Sequence, residues 1–176
     1  LIEKNDEEAI KYLKMAIEKG QTSAMFYYAR LLIKGIGTNV DKEEGLKYLN
    51  MSIEKGNVDS IYYYGELLYE GNYIEMNKEK GIKYLKMAAD KGCTDAMIYY
   101  ASVLDKSENS ETNKKEVLKY YKMAADLENT KAMKYYSIML SNGDGVEVNM
   151  DEALNYIKKA VEKGDPDAIN RYAVML

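Results

Sequence analysis

Charged side chains recur along this chain at a fixed spacing, and the chemistry open to them is recognition by charge. Lysines stand 36 residues apart at Lys11, Lys47, Lys83 and Lys119. A second column, three residues further along each repeat, consists of Lys14, Asn50, Lys86 and Lys122, with asparagine in place of one lysine. Four residues after each of these comes an acid: Glu18, Glu54, Asp90 and Asp126. Lysine followed by an acid is the less favourable order on a helix, and an acid near a helix C-terminus opposes the helix dipole. These acids therefore either meet lysines of a neighbouring repeat or serve a bound partner.

Residues suited to catalysis are scarce. The 176 residues include no histidine and a single cysteine, Cys93. The commonest general base and metal ligand is thus missing, and a thiol nucleophile would lack a base partner. Acid pairs such as Glu43-Glu44 fall in predicted first helical turns, where carboxylates suit the dipole. We therefore predict that the protein is not an enzyme and has no cofactor or metal site, with a hydrolase as a remote alternative.

Composition narrows the class of partner. The net charge is −4, which gives no electrostatic case for binding nucleic acid. No apolar run approaches the roughly 18 residues that a membrane-spanning helix needs, so we predict no direct membrane insertion. The single cysteine and the lack of a visible signal segment favour a reducing, cytoplasmic compartment. The first residue is Leu1 rather than methionine, which leaves open a leader that has been removed.

The elements that position these side chains also repeat every 36 residues. The period is marked without a slip by Tyr12, Tyr48, Tyr84, Tyr120 and Tyr156. A period of this size indicates a helical repeat array. We place one domain over residues 1–176, with repeats at about 5–40, 41–76, 77–112, 113–148 and 149–176. Apolar spacing divides each repeat into two amphipathic helices, A and B, which bury their apolar faces only by stacking.

Capping residues set the predicted helix boundaries. Helix A is predicted to begin after Asn5, Asp41, Asn77, Asn113 and Asn149, and to end before Gly20, Gly56, Gly92 and Gly164. Asp165-Pro166 marks the start of a helix B. The helix A tyrosines and the helix B leucines Leu68, Leu104, Leu140 and Leu176 are assigned to the core. The polar loop 105–112 lacks the glycines of the equivalent loops, and we predict that it is the most mobile internal segment.

The repeat resembles a known family. Read across the five copies, the pattern is Asp or Asn, then Ala/Gly-Leu-x-Tyr, Ala-Ala-x-x-Gly, Ala-x-x-x-Tyr and Leu-x-x-Gly-x-Gly. It is similar to the Sel-1-like repeat, a relative of the tetratricopeptide repeat, over almost the whole chain. The resemblance implies an all-α, right-handed solenoid with helix A on its concave side. It also implies a role in assembling protein complexes, as a scaffold or adaptor.

We predict that a peptide or protein partner binds in the concave groove. The groove residues are Lys11, Lys14, Met15, Glu18, Lys47, Asn50, Met51, Glu54, Lys83, Lys86, Met87, Asp90, Lys119, Lys122, Met123 and Asp126. The lysine and acid columns would orient the partner, while the adaptable methionines would supply contact area. A secondary apolar patch is predicted where Phe26, Tyr62 and Ile98 point outward from helix B.

The two ends of the sequence carry apolar residues, Leu1-Ile2 and Val174-Met175-Leu176. Repeat arrays need polar terminal helices for solubility. We therefore expect either flanking repeats in a longer protein or end-to-end self-association. A structural spacer remains the alternative function.

Overall fold

The computed structural model describes residues 4–106 and 110–176, and every regular element in these ranges is an α-helix. The helices are α1 (Lys4–Glu18), α2 (Thr22–Lys34), α3 (Lys42–Glu54), α4 (Val58–Glu70), α5 (Lys78–Asp90), α6 (Thr94–Asp105), α7 (Glu111–Asp126), α8 (Thr130–Asn142), α9 (Met150–Glu162) and α10 (Pro166–Met175). Odd-numbered helices are the predicted helices A, and even-numbered helices are the predicted helices B. The predicted mobile loop falls partly on residues 107–109, which lie outside the described residues.

Side-chain caps begin three of the five helices A where the sequence places them. The side chains of Asp41, Asn77 and Asn149 accept hydrogen bonds from backbone N–H groups three residues later, at 2.9, 2.9 and 3.1 Å. The other two predicted caps are wrong. Helix α1 already includes Lys4, which places Asn5 inside the helix. Helix α7 begins one turn early, because the Ser110 hydroxyl accepts from the Asn113 N–H at 3.1 Å.

Left-handed glycines end four of the helices A as predicted. The φ angles of Gly20, Gly56, Gly92 and Gly164 lie between 80° and 92°. A residue with a Cβ is strained in this conformation, which explains the preference for glycine there. The equivalent residue after α7 is Glu128, which takes the same backbone region at φ 65°.

The helices fall into two compact units, residues 1–91 and 92–176. In the first unit, α2, α3 and α4 bury Ile33, Leu49 and Leu67 in one cluster. Helices α4 and α5 approach at Gly65 and Gly81, where a Cβ on Gly81 would lie 2.8 Å from the Tyr69 backbone nitrogen. Glycine at this crossing therefore lets the two backbones come closer than any larger residue would allow.

The second unit, α6 to α10, has its own core. Its most buried side chains include Tyr120, Ile157, Val117, Leu140 and Met97, each at most 1% exposed. Pro166 stands at the start of α10, as the sequence indicates, and the Asp165 carboxylate caps that helix by accepting from the Ala168 N–H at 3.0 Å.

Two residues assigned to the core are exposed. Tyr12 is 60% exposed, although its equivalent in α9, Tyr156, is only 9% exposed. Leu176 is 84% exposed, against 1% for its equivalent Leu140. Both differences have the same cause. Each helix A is covered by the preceding helix B, and in the described residues no helix B precedes α1 and no helix A follows α10.

Candidate partner-binding surface

A pair of tyrosines fixes the position of each helix A from α3 to α9. The rings of Tyr28–Tyr48, Tyr64–Tyr84, Tyr100–Tyr120 and Tyr136–Tyr156 pack edge to face, with centroids 4.8 to 5.1 Å apart. In each pair a helix B tyrosine meets the helix A tyrosine 20 residues later. Edge-to-face packing adds about 0.5–1.5 kcal/mol beyond the area buried. Sequence reasoning placed both columns in the core but missed the pairing, which the constant 20-residue spacing could have revealed.

In the second unit a polar network surrounds one of these pairs. Lys122 of α7 donates to the Tyr156 hydroxyl of α9 at 3.1 Å, and that hydroxyl donates to Asp126 at 2.5 Å. Lys122 also lies 3.5 Å from Asp126. On the other side of the pair, the Tyr136 hydroxyl donates to Glu152 at 3.0 Å. The network therefore joins the outward faces of two successive helices A.

The network shifts the titration of its members. The hydrogen bond to the Tyr156 hydroxyl raises the pKa of Lys122, although burial partly opposes this. Burial, followed by the hydrogen bond to Glu152, raises the pKa of Tyr136 to about 12. Burial and the Asp126 carboxylate likewise raise the pKa of Tyr156. Asp126, the acid of the charged column in this repeat, thus contacts Tyr156 of the neighbouring helix A as well as Lys122 of its own helix. Its role here is thus at least partly structural.

One repeat has a lysine, Lys80, at the position where two others have the glutamate that accepts a hydrogen bond from the helix B tyrosine. Glu116 and Glu152 accept from the Tyr100 and Tyr136 hydroxyls at 3.2 and 3.0 Å. At the equivalent position of α5, the Lys80 Nζ lies 5.5 Å from the centre of the Tyr64 ring. A cation over a ring face is attracted by the ring quadrupole. The tyrosine is therefore contacted by a charged side chain in both cases, through its hydroxyl in one and its ring in the other.

In the first unit, the predicted binding residues of α1, α3 and α5 lie on the outside. Eleven of the twelve are exposed: Lys11, Lys14, Met15, Glu18, Lys47, Asn50, Glu54, Lys83, Lys86, Met87 and Asp90. Met51 is half-buried. Lys83 pairs with the exposed Glu79 at 2.7 Å, a kind of contact worth little in water. Lys14 lies over the Tyr28 ring at 5.4 Å.

Two lysines of this face keep their charge available. Across residues 4–106 and 110–176, Lys11 and Lys47 take part in neither an ion pair nor a cation–π contact. Both are exposed and both occupy the same position of helix A. An unpaired surface lysine contacts an incoming carboxylate without first breaking an ion pair, although Lys47 shares a pocket with the acids Asp41, Glu43 and Glu44.

The second unit presents the same positions with more internal contacts. Lys119, Lys122 and Asp126 are exposed, while Met123 is half-buried. The Lys119 Nζ lies 5.0 Å from the centre of the Tyr120 ring. Beside Asp126 is a polar pocket of about 360 Å³, whose lining includes Glu128, Lys159 and Lys163. Lys163 pairs with Glu128 at 2.9 Å, so part of the charge in this pocket is already neutralised.

The predicted apolar patch is wrong as an exposed surface. Phe26 and Ile98 are each only 8% exposed, and Tyr62 is half-buried. The Phe26 ring packs edge-on against Tyr63 at 5.9 Å, and the Arg30 guanidinium covers it at 5.4 Å. Helix B is therefore covered over a wider arc than a single apolar stripe suggests.

Neither of two other kinds of site is found in the described part of the chain. No group of three or more cysteine, aspartate or glutamate side chains there is arranged to hold a metal ion. None of the helices in residues 4–106 and 110–176 is both long and apolar enough to span a membrane.

Two-helix units joined by the same tyrosine pair define an α-helical repeat protein. A family model described as "Sel1 repeat" matches residues 1–21, 22–57, 58–93, 94–129 and 130–165. The chain therefore belongs to the Sel1 repeat family, as its sequence motifs predicted. Each complete family unit begins at a helix B, whereas the repeats proposed above begin at helix A. Both divisions share the 36-residue period.

Solved structures show the same fold. A Sel1 repeat protein from Oxalobacter formigenes matches with a TM-score of 0.86 and 23% identity, over 97% of this chain and 49% of that one. A protective antigen of uropathogenic Escherichia coli that displays an SLR fold matches with a TM-score of 0.84 and 21% identity, over 94% of this chain and 36% of that one. The prediction of an all-α repeat fold is thus confirmed. The chain spans about half or less of these proteins. No curated protein matches it significantly.

Proposed function

We propose that this protein is a protein-interaction module, a scaffold or adaptor that binds a peptide or protein partner on the outward face of its helices A. The observation that carries the proposal is the recurrence of exposed lysine and acid side chains at equivalent positions of α1, α3 and α5, with exposed methionines on α1 and α5. Membership of the Sel1 repeat family, whose members are typically protein-interaction modules, supports the same function.

The chemistry of this face favours a partner segment that carries acids beside apolar residues. Lys11 on α1 and Lys47 on α3 are exposed, and the methionines Met15 on α1 and Met87 on α5 are 44% and 36% exposed. Methionine adapts its flexible, polarizable side chain to irregular apolar surfaces. Charge would set the orientation and the rate of association, while the apolar contacts would supply most of the affinity.

The test starts from a randomised peptide library displayed on phage and selected on the whole 176-residue chain. The binding of the selected peptides is then measured against a triple variant in which Lys47, Lys83 and Lys86 are each changed to glutamate. We expect the variant to bind about tenfold more weakly or worse, because three attractive charges become repulsive.

The matched control changes Lys42, Lys55 and Lys91 to glutamate. These lysines are also exposed on or beside α3 and α5 but lie outside the proposed face, and the change in net charge is the same. Circular dichroism establishes that both variants are helical. If the two triple variants bind the selected peptides equally well, this face is not the binding surface.

A further inference from the structure

A pocket of about 280 Å³ lies inside the second unit, between the end of α6, helix α7, helix α8 and the loop that follows α8. Its lining residues are Asp105, Lys114, Tyr121, Tyr135, Ile138, Met139 and Asp144. None of them belongs to the helix A surface proposed above. Pockets that hold drug-sized ligands measure roughly 300–1,000 Å³, so this one suits a single side chain or a smaller molecule.

Two of the lining residues depart from the repeat pattern. Tyr121 stands where the other four helices A have an aliphatic residue, namely Leu13, Leu49, Leu85 and Ile157. Asp105 stands where other helices B have Ile33, Tyr69 and Ser141. The phenol and the carboxylate of this pocket are therefore specific to one repeat, and the packing of the repeats does not require them.

The charges that line the pocket favour a cation. Lys114 pairs with Asp144 at 3.2 Å, which neutralises one of the two acids. The other acid, Asp105, takes part in no ion pair within residues 4–106 and 110–176. Lys106 follows Asp105 in the sequence but does not line the pocket. One negative charge of the lining thus remains without a counter-ion.

The aromatic wall of the pocket also offers an acceptor. The rings of Tyr121 and Tyr135 stack with their centroids 5.1 Å apart. Tyr121 is only 4% exposed, yet its hydroxyl forms no hydrogen bond in the described part of the chain. A polar group in a largely buried side chain gains free energy when it finds a partner. Burial, followed by the nearby Asp105 carboxylate, raises the pKa of Tyr121, so the hydroxyl stays neutral and can accept a hydrogen bond.

We propose that this pocket binds a primary alkylammonium group, carried either by a lysine side chain of a partner or by a free alkylamine. The ammonium donates to the Asp105 carboxylate and to the Tyr121 hydroxyl, and a hydrogen bond between opposite charges is stronger than a neutral one. The tyrosine rings attract the same cation. Ile138 and Met139 contact the aliphatic stem of the ligand.

The test follows the backbone amide resonances of the ¹⁵N-labelled 176-residue chain by NMR during titration with three probes. They are Nα-acetyl-lysine amide, n-butylammonium and Nα-acetyl-norleucine amide, which has the stem of lysine but no ammonium. We expect saturable shifts at the pocket residues with the lysine derivative, with butylammonium or with both, and at least tenfold weaker binding of the norleucine derivative. Binding of the lysine derivative alone identifies a protein lysine as the ligand, and binding of butylammonium alone identifies a free amine.

Two variants remove the groups that hold the ammonium. Asp105→Asn changes an exposed side chain, and Tyr121→Leu introduces the residue that two other helices A have at this position, so both should fold. We expect each to weaken binding about tenfold. The control is Asp151→Asn, which removes an exposed acid in the first turn of α9, outside the pocket, and should bind as the wild type does.

Three outcomes would overturn the proposal. They are no shift at the pocket residues with either ammonium probe up to about 50 mM, equal binding of the norleucine derivative, and unchanged binding by Asp105→Asn. The NMR spectrum of each variant also reports whether it is folded. The pocket and the helix A surface have no residue in common, so either proposal can fail alone.

Discussion

At the residue scale, serine replaces alanine at two buried positions of one repeat, and each serine hydroxyl needs a hydrogen-bond partner inside the core. Ser52 and Ser60 are fully buried. The Ser52 hydroxyl donates to the Thr22 carbonyl at 2.9 Å, and the Ser60 hydroxyl contacts Ser52 at 2.7 Å. Other repeats have Ala88, Ala124 or Ala160 at the position of Ser52, so this polar contact is specific to one repeat.

This contact makes the two serines energetically coupled. We expect Ser52→Ala or Ser60→Ala alone to lower the free energy of unfolding by about 1 kcal/mol, because each disturbs the hydrogen bonding of the other. The double variant should lose less than the sum, because it restores the alanine packing of the other repeats. Urea unfolding of the three variants measures this, and strictly additive losses would show that the hydroxyls act independently.

A buried tyrosine makes stability depend on alkaline pH. The pKa of Tyr136 is raised from 10.0 to about 12, by burial and by the Glu152 carboxylate. Between pH 10 and about pH 12 the Tyr136 hydroxyl loses its proton in the unfolded chain but keeps it in the folded chain. The free energy of unfolding therefore falls as pH rises through this range. We expect Tyr136→Phe to be less stable at neutral pH but to lose less stability between pH 10 and 11. Urea midpoints that fall equally in both proteins would contradict this.

At the scale of the element, the sequence predicts where helices occur better than where they begin. The 3.6-residue apolar period identifies all five helices A, and glycine stops mark the ends of four of them, since both signals are local. The cap residues are ambiguous, because asparagine also occurs inside a first turn. Asn5 and Asn149 are equivalent in sequence, yet only Asn149 caps a helix. Helix α1 already includes Lys4, so Asn5 lies inside its first turn.

This difference can be measured. Asn149→Ala removes the oxygen that accepts from the Glu152 N–H and should lower the free energy of unfolding by about 1 kcal/mol. Asn5→Ala serves as the control, because it places a better helix former inside α1 and should be neutral or slightly stabilising. The comparison is made by thermal unfolding under one set of conditions. Equal destabilisation would mean that α1 begins at Asn5 after all.

At the scale of the whole molecule, the burial of a side chain and its contribution to stability depend on the neighbouring helices as well as on its position in the repeat. The repeat pattern alone assigns Tyr12 and Leu176 to the core, because their columns are apolar in every copy. The repeat pattern does not show in which copy a neighbouring helix covers that side chain. The same limit affects the candidate site. The sequence places Lys122 and Asp126 in a column with Lys14 and Glu18, but the network with Tyr156 depends on a contact between repeats.

Two leucines of one column make this dependence testable. Leu68 is 5% exposed and Leu176 is 84% exposed. We expect Leu68→Ala to lower the free energy of unfolding by about 2–5 kcal/mol, because it leaves a cavity in the first unit. Leu176→Ala should change it by about 0.5 kcal/mol or less at a concentration where the chain is monomeric. Denaturant unfolding compares them, and similar losses would mean that α10 is covered in the monomer.

The most direct measurement of the proposed function is lysine footprinting of the whole chain with and without a saturating library-selected peptide. An acetylating reagent labels exposed lysines, and mass spectrometry gives the labelling of each one. If the partner lies on the helix A face, Lys11 and Lys47 become protected, while Lys42 and Lys55 react at unchanged rates. Protection of Lys42 and Lys55, with Lys11 and Lys47 still fully reactive, would contradict the account.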